Sequence, residues 1–81
     1  MSSGPVAEAA ALLGSGDWRG AHEIVQRHEN LPHAAWAHGI VHILEGDLDN
    51  ARYWYAAAKR GFPDPVSAEA ELRALRAALA G

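Results

Sequence analysis

The chain contains no cysteine among its 81 residues, and this absence excludes disulfides, thiolate metal sites and cysteine nucleophiles together. Threonine is also missing, and the few β-branched residues never alternate with polar ones, so no segment has the pattern of a strand. No apolar run approaches the roughly 18 residues of a membrane span, and the N-terminus lacks the features of a secretory signal. We therefore expect one helical domain in the cytoplasm, with no membrane partner.

Basic charge is scarce as well. Seven Lys and Arg residues stand against ten Asp and Glu, which gives a formal net charge of -3. Affinity for nucleic acid comes mainly from clustered basic side chains, and here they are scattered. The charge pattern therefore predicts no nucleic-acid partner.

The residues that are abundant favour helices, since alanine is the strongest helix former and proline, glycine and aspartate mark helix ends. Asp17 and Asp47 are suited to cap helices, and Gly46 and Gly61 are suited to close them. Pro32 is expected to open the third helix and Pro65, after Asp64, the fifth. The predicted units are a disordered N-terminus at 1–4, a hairpin at 5–29, a hairpin at 32–60 and a C-terminal helix at 65–80.

An internal repeat supports this division, because Gly16-Asp17-Trp18-Arg19-Gly20-Ala21 recurs thirty residues later as Gly46-Asp47-Leu48-Asp49-Asn50-Ala51. The second hairpin resembles a tetratricopeptide repeat. The matching positions are Gly39, Gly46, Asp47, Ala51, Tyr55, Ala58 and Pro63. The resemblance implies an all-α fold of five short helices, arranged as two tetratricopeptide-like antiparallel hairpins and a C-terminal capping helix, with a concave groove that binds peptides.

A closer likeness covers about Gly16 to Lys59. The strings Gly-Asp-Trp-x-x-Ala-His-Glu-Ile-Val-Gln, His-x-x-x-His and Glu-Gly-Asp-Leu-x-Asn-Ala-Arg-Tyr-Trp-Tyr are similar to those of a group of short uncharacterised tetratricopeptide-like proteins of bacteria and some fungi. That group has no established activity, so this likeness concerns the fold and implies no functional residues.

Two histidines are the main departure from the repeat, since His38 and His42 stand where it has a leucine and another large residue. They are four residues apart on one helical face, a spacing at which two imidazoles can share a metal. Glu45 extends that face, and His22 or Tyr55 could approach from neighbouring helices. The alternative is that both histidines are core residues whose ring nitrogens are hydrogen-bonded.

The opposite face of the central helix is apolar and would line the groove in the tetratricopeptide register. If the groove is open, we expect a protein or peptide partner, or a second copy of the chain, to bind there and at the outward-facing Tyr53. If it is closed by the first or the last helix, these residues are core. The candidate partner-binding residues are Trp36, Ile40, Ile43 and Tyr53.

The sequence thus favours a small interaction module without enzymatic activity or a cofactor. One alternative is a site on the central helix at His38, His42 and Glu45 that binds a divalent transition metal or uses histidine catalysis. The other alternative is an engineered helical scaffold, which the alanine-rich helices would also suit.

Overall fold

The computed structural model describes residues 4–81, so most of the N-terminal segment 1–4, predicted to be disordered, lies outside the described residues. The described part is all-helical and contains five helices, which confirms the predicted class. Consecutive helices pack on one another from α1 to α4, and α5 returns across α1 and α3. The helices are α1 Pro5–Gly14, α2 Trp18–Arg27, α3 Ala34–Glu45, α4 Leu48–Ala57 and α5 Ala68–Ala80.

The two repeated corners have the same construction. Gly16 and Gly46 both adopt a left-handed φ, 86° and 92°, a conformation that glycine reaches without strain. The next residue is an aspartate whose carboxylate accepts the backbone N–H three residues on, at 3.0 Å for Asp17 and 3.2 Å for Asp47. The internal repeat is therefore a repeated helix-corner-helix geometry, as its residues predict.

Two predicted helix ends are displaced by left-handed residues other than glycine. His33 has φ 67°, so the right-handed α3 begins at Ala34 and not at Pro32. Lys59 has φ 60°, and the Arg60 N–H donates to the Tyr55 carbonyl at 3.0 Å, so α4 closes before Gly61. A positive φ costs a side-chain-bearing residue about 1 kcal/mol, which makes these positions difficult to identify from sequence.

The ends of α2 and α5 also differ from the prediction. α2 stops at Arg27, two residues early, because the His28 N–H bonds back to the Val25 carbonyl in a tight turn. α5 starts at Ala68 because the extended Ser67 is its N-cap, with the hydroxyl accepting the Ala70 N–H at 3.2 Å. Neither change alters the order of the helices.

The C-terminal helix closes the domain. Leu75 of α5 is fully buried with residues of α1, α2 and α3, and the Arg76 guanidinium donates to the Ala10 carbonyl of α1 at 3.3 Å. Among residues 4–81, no helix combines the length and the apolar character needed to cross a membrane. Because α5 covers the inner side of α3, the opposite side of α3, toward α2 and α4, is where an open site can lie.

Candidate metal centre

Three histidine side chains meet between α2 and α3. His38 and His42 project from one face of α3, and His22 reaches them from α2. One ring nitrogen from each lies within 4.8 Å of the other two. The ring centroid of His22 is 4.8 Å from the ring centroid of His38 and 5.4 Å from the ring centroid of His42.

The local sequence explains why the two helices bring these rings together. The four-residue spacing stacks the His38 and His42 rings at 5.0 Å, as expected for neighbours one turn apart. His22 directly follows Ala21, which is completely buried and whose small side chain allows a close approach of α2. The second corner ends α3 at Glu45, three residues after His42, and the Asp47 N–H donates to the His42 carbonyl at 2.9 Å.

His38 is the most confined of the three. Its exposed fraction is 4%, and the Trp54 indole lies parallel to its ring at a centroid distance of 3.8 Å. Burial, followed by the charges of His22 and His42, lowers the pKa of His38 to about 4. At neutral pH this imidazole is therefore uncharged, the form that binds a metal.

The hydrogen bonding of His38 is incomplete. In residues 4–81 its buried Nδ1 has no hydrogen-bond partner. A buried polar atom without a partner costs about 1–3 kcal/mol, so native proteins seldom retain one without a reason. The structure therefore does not support the interpretation of His38 as a fully hydrogen-bonded core histidine.

His42, in contrast, has a partner that orients it. Its exposed fraction is 6%, and Nδ1–H donates to Glu45 Oε1 at 2.7 Å. This contact leaves Nε2 as the free nitrogen of the ring. A carboxylate on the remote ring nitrogen is the usual support of a metal-ligating histidine, because it fixes the tautomer and raises the basicity of the other nitrogen.

The cluster differs from the predicted set His38, His42 and Glu45. The ring nitrogens of His38 and His42 lie within 4.8 Å of one from His22, whereas the Glu45 carboxylate lies within that distance of His42 and Asp47. Since Glu45 is bonded to Nδ1 of His42, it would support a metal held through Nε2 of that ring, and His22 replaces Glu45 as the third candidate ligand. The sequence named His22 only as one residue that could approach, because nothing in the spacing of α2 fixes its distance from α3.

Tyr55, the other residue considered for the site, lies elsewhere. Its hydroxyl donates to Glu71 Oε1 of α5 at 2.6 Å, and burial together with this hydrogen bond raises the pKa of Tyr55. Trp36 Nε1 donates to the same carboxylate oxygen at 3.2 Å. Glu71 therefore ties α5 to both α3 and α4, and Tyr55 belongs to this contact and not to the histidine cluster.

The predicted partner surface is not continuous in the structure. Trp36 is 2% exposed, with the Arg60 guanidinium 3.4 Å from its ring centroid, and Ile40 is completely buried. Ile43 is half-buried against the core, and only Tyr53, at 65%, is well exposed. Trp36 and Ile40 therefore offer no surface to a partner, because α5 packs over the inner side of α3.

The histidine geometry is close to that of a metal site. Zinc holds imidazole nitrogens at about 2.0–2.1 Å, which places the nitrogens of a tetrahedral site about 3.3 Å apart. The nitrogens here, within 4.8 Å of each other, need to close by about 1.5 Å at most. His22 is the half-buried member, so its side chain is the one of the three with most freedom to adjust.

No family model, curated protein or solved structure matches the chain. The resemblance to tetratricopeptide repeats and to the short bacterial and fungal proteins therefore stays a prediction. The arrangement of the three histidines is the evidence for a functional site.

Proposed function

We propose that this protein binds one divalent transition-metal ion through His22, His38 and His42. The observation that carries the proposal is the convergence of three imidazole nitrogens from two helices within 4.8 Å. The unpartnered Nδ1 of His38 and the Glu45 carboxylate on His42 support it. Without a metal, the buried Nδ1 of His38 would have no partner to offset the cost of its burial.

The donor set favours particular metals. Imidazole nitrogen suits Zn²⁺, Cu²⁺, Ni²⁺ and Co²⁺, whereas Mg²⁺ and Ca²⁺ prefer oxygen ligands. Because the three ligands contain no sulfur, we place iron–sulfur clusters outside the proposal. Zn²⁺ is the first candidate, since it accepts tetrahedral nitrogen sites without a redox requirement.

The test is metal binding by protein purified without an affinity tag and freed of metal with a chelator. We expect Zn²⁺ to bind at one ion per chain. At a free concentration of a hundred times Kd it should raise the free energy of unfolding by about 2.7 kcal/mol, which corresponds to an increase in Tm of roughly 10–20 °C for a domain of this size.

Two variants of α2 and its end provide the matched comparison. His22→Ala removes a half-buried ligand and should abolish the Zn²⁺-dependent rise in Tm. His28→Ala removes another half-buried histidine outside the cluster, and this variant should keep the Zn²⁺-dependent rise in Tm. The proposal is wrong if the native chain binds no Zn²⁺, or if both variants bind it as the native chain does.

A further inference from the structure

The protein supplies three ligands to the proposed metal, and a fourth is missing from the part of the chain described. Within residues 4–81 the group of His22, His38 and His42 contains no carboxylate and no further histidine, and the sequence has no cysteine. Zinc with three protein ligands completes a tetrahedron with water or with a substrate. Sites with four protein ligands are, in contrast, structural.

The two nearby carboxylates have other roles. Glu45 accepts the Nδ1–H of His42 at 2.7 Å, on the side of that ring opposite its free nitrogen. Asp47 caps α4, where its carboxylate accepts the Asn50 N–H at 3.2 Å. Neither carboxylate belongs to the set of ligand atoms, from His22, His38 and His42, that lie within 4.8 Å of one another. Each carboxylate therefore already has a hydrogen-bond partner within the protein.

Access to that position is one-sided. The rings of His38 and His42 are buried, and Trp54 covers a face of His38 at 3.8 Å. His22 is half-buried and is the ligand nearest solvent. An external ligand would therefore reach the metal beside His22.

Charge determines which external ligand is preferred. Three neutral imidazoles bring no negative charge, so a bound divalent ion keeps both of its positive charges in a partly desolvated site. Such an ion stabilises an anion at its open position and lowers the pKa of a bound water to about 7. Small anions with one oxygen or nitrogen donor match this charge and need only one coordination position.

We propose that the metal-loaded protein binds a small monodentate anion, with hydroxide or water in its absence, at a fourth coordination position beside His22. This proposal rests on the proposed metal binding and adds that the site is open. A purely structural site would have that position filled by the protein.

Cobalt(II) distinguishes the two kinds of site, because its visible absorption reports the coordination number and the ligands. The experiment loads the native chain with Co²⁺ and titrates it with azide, then with acetate. We expect a four-coordinate spectrum that changes on addition of azide and saturates at one azide per cobalt. Acetate should compete with azide for the same position.

Two variants test whether a carboxylate occupies the fourth position. Asp47→Asn should bind Co²⁺ and respond to azide as the native chain does. Glu45→Gln removes the carboxylate that supports His42 and should bind Co²⁺ about 10–100-fold more weakly, but once loaded it should still respond to azide. If the native spectrum is unchanged by azide and one of these variants becomes responsive, that carboxylate is the fourth ligand and the proposal of an open site is wrong. A spectrum unchanged by azide in all three proteins also contradicts the open site.

A failure to bind Co²⁺ is a different result. It removes the proposed metal function itself and the open position with it. Binding of Co²⁺ without any response to azide leaves metal binding intact and refutes only the anion site.

Discussion

Gly39 allows α3 and α4 to pack closely, and its replacement by alanine tests that contact directly. A Cβ atom at this position would lie 2.5 Å from Cδ1 and 2.6 Å from Cε1 of Tyr55, and 3.4 Å from the Ala51 carbonyl oxygen. The last distance is close but tolerable. The first two require the Tyr55 ring or the whole of α4 to move by about 1 Å.

The ring of Tyr55 has little freedom to move. It is 1% exposed, its hydroxyl is held by Glu71 at 2.6 Å, and Phe62 packs edge-on against it at 5.3 Å. Overpacking of such a core costs about 1–3 kcal/mol. The better helix propensity of alanine returns about 1 kcal/mol, so we expect Gly39→Ala to destabilise the fold by a net amount of up to about 2 kcal/mol.

Urea unfolding monitored by circular dichroism measures this change, and Tm should fall by about 4–8 °C per kcal/mol. Gly61→Ala is the control, because a Cβ there meets no atom within 4 Å and the residue has no left-handed φ. In a Tyr55→Ala background the clash is absent, so Gly39→Ala should become neutral or stabilising. An equal destabilisation with and without the Tyr55 ring would refute the reasoning.

Two further changes probe the site and the attachment of α5. Because folding lowers the pKa of His38 from 6.5 to about 4, the unfolded chain binds a proton at this residue more tightly than the folded chain does. Protonation of His38 therefore does not reduce the stability of the fold above pH 6.5, and it reduces that stability progressively as the pH falls toward 4. We expect the free energy of unfolding to fall by about 2 kcal/mol between pH 8 and pH 5, as measured by urea unfolding with a chelator present. The free energy of unfolding of His38→Leu should depend less on pH, and an equal pH dependence in the two proteins would contradict the assignment to His38. Tyr55→Phe removes the hydroxyl that donates to Glu71 and should lower the free energy of unfolding by about 1.5–3 kcal/mol. Tyr53→Phe, at a position 65% exposed, should change it by less than about 0.5 kcal/mol, and similar effects of the two substitutions would count against the role of Glu71.

The helix corners could be predicted from sequence because they depend on local interactions. Gly16 and Gly46 provide the left-handed turn, and Asp17 and Asp47 each cap a helix through a backbone N–H three residues away. All the groups involved lie within one or two turns of each other. The same locality explains the pairing of His38 and His42, which follows from the helical repeat alone.

Helix ends set by strained residues were harder to predict. His33 and Lys59 adopt left-handed conformations that their residue types disfavour, so neither residue is a recognisable helix end in the sequence. The predicted ends at Pro32 and Gly61 were wrong for this reason. Ser67 was missed as the cap of α5 because Asp64 and Pro65 formed an equally plausible local signal.

The sequence by itself determined that this chain is helical, where its two hairpin corners lie and that two histidines share a turn of the central helix. Only the tertiary structure decided which residues surround that turn. The docking of α5 through Glu71 buried Trp36, and the approach of α2 brought His22 to the other two histidines. These outcomes depend on distances between helices, which arise from the packing of the whole core and are not encoded in the spacing of any one segment.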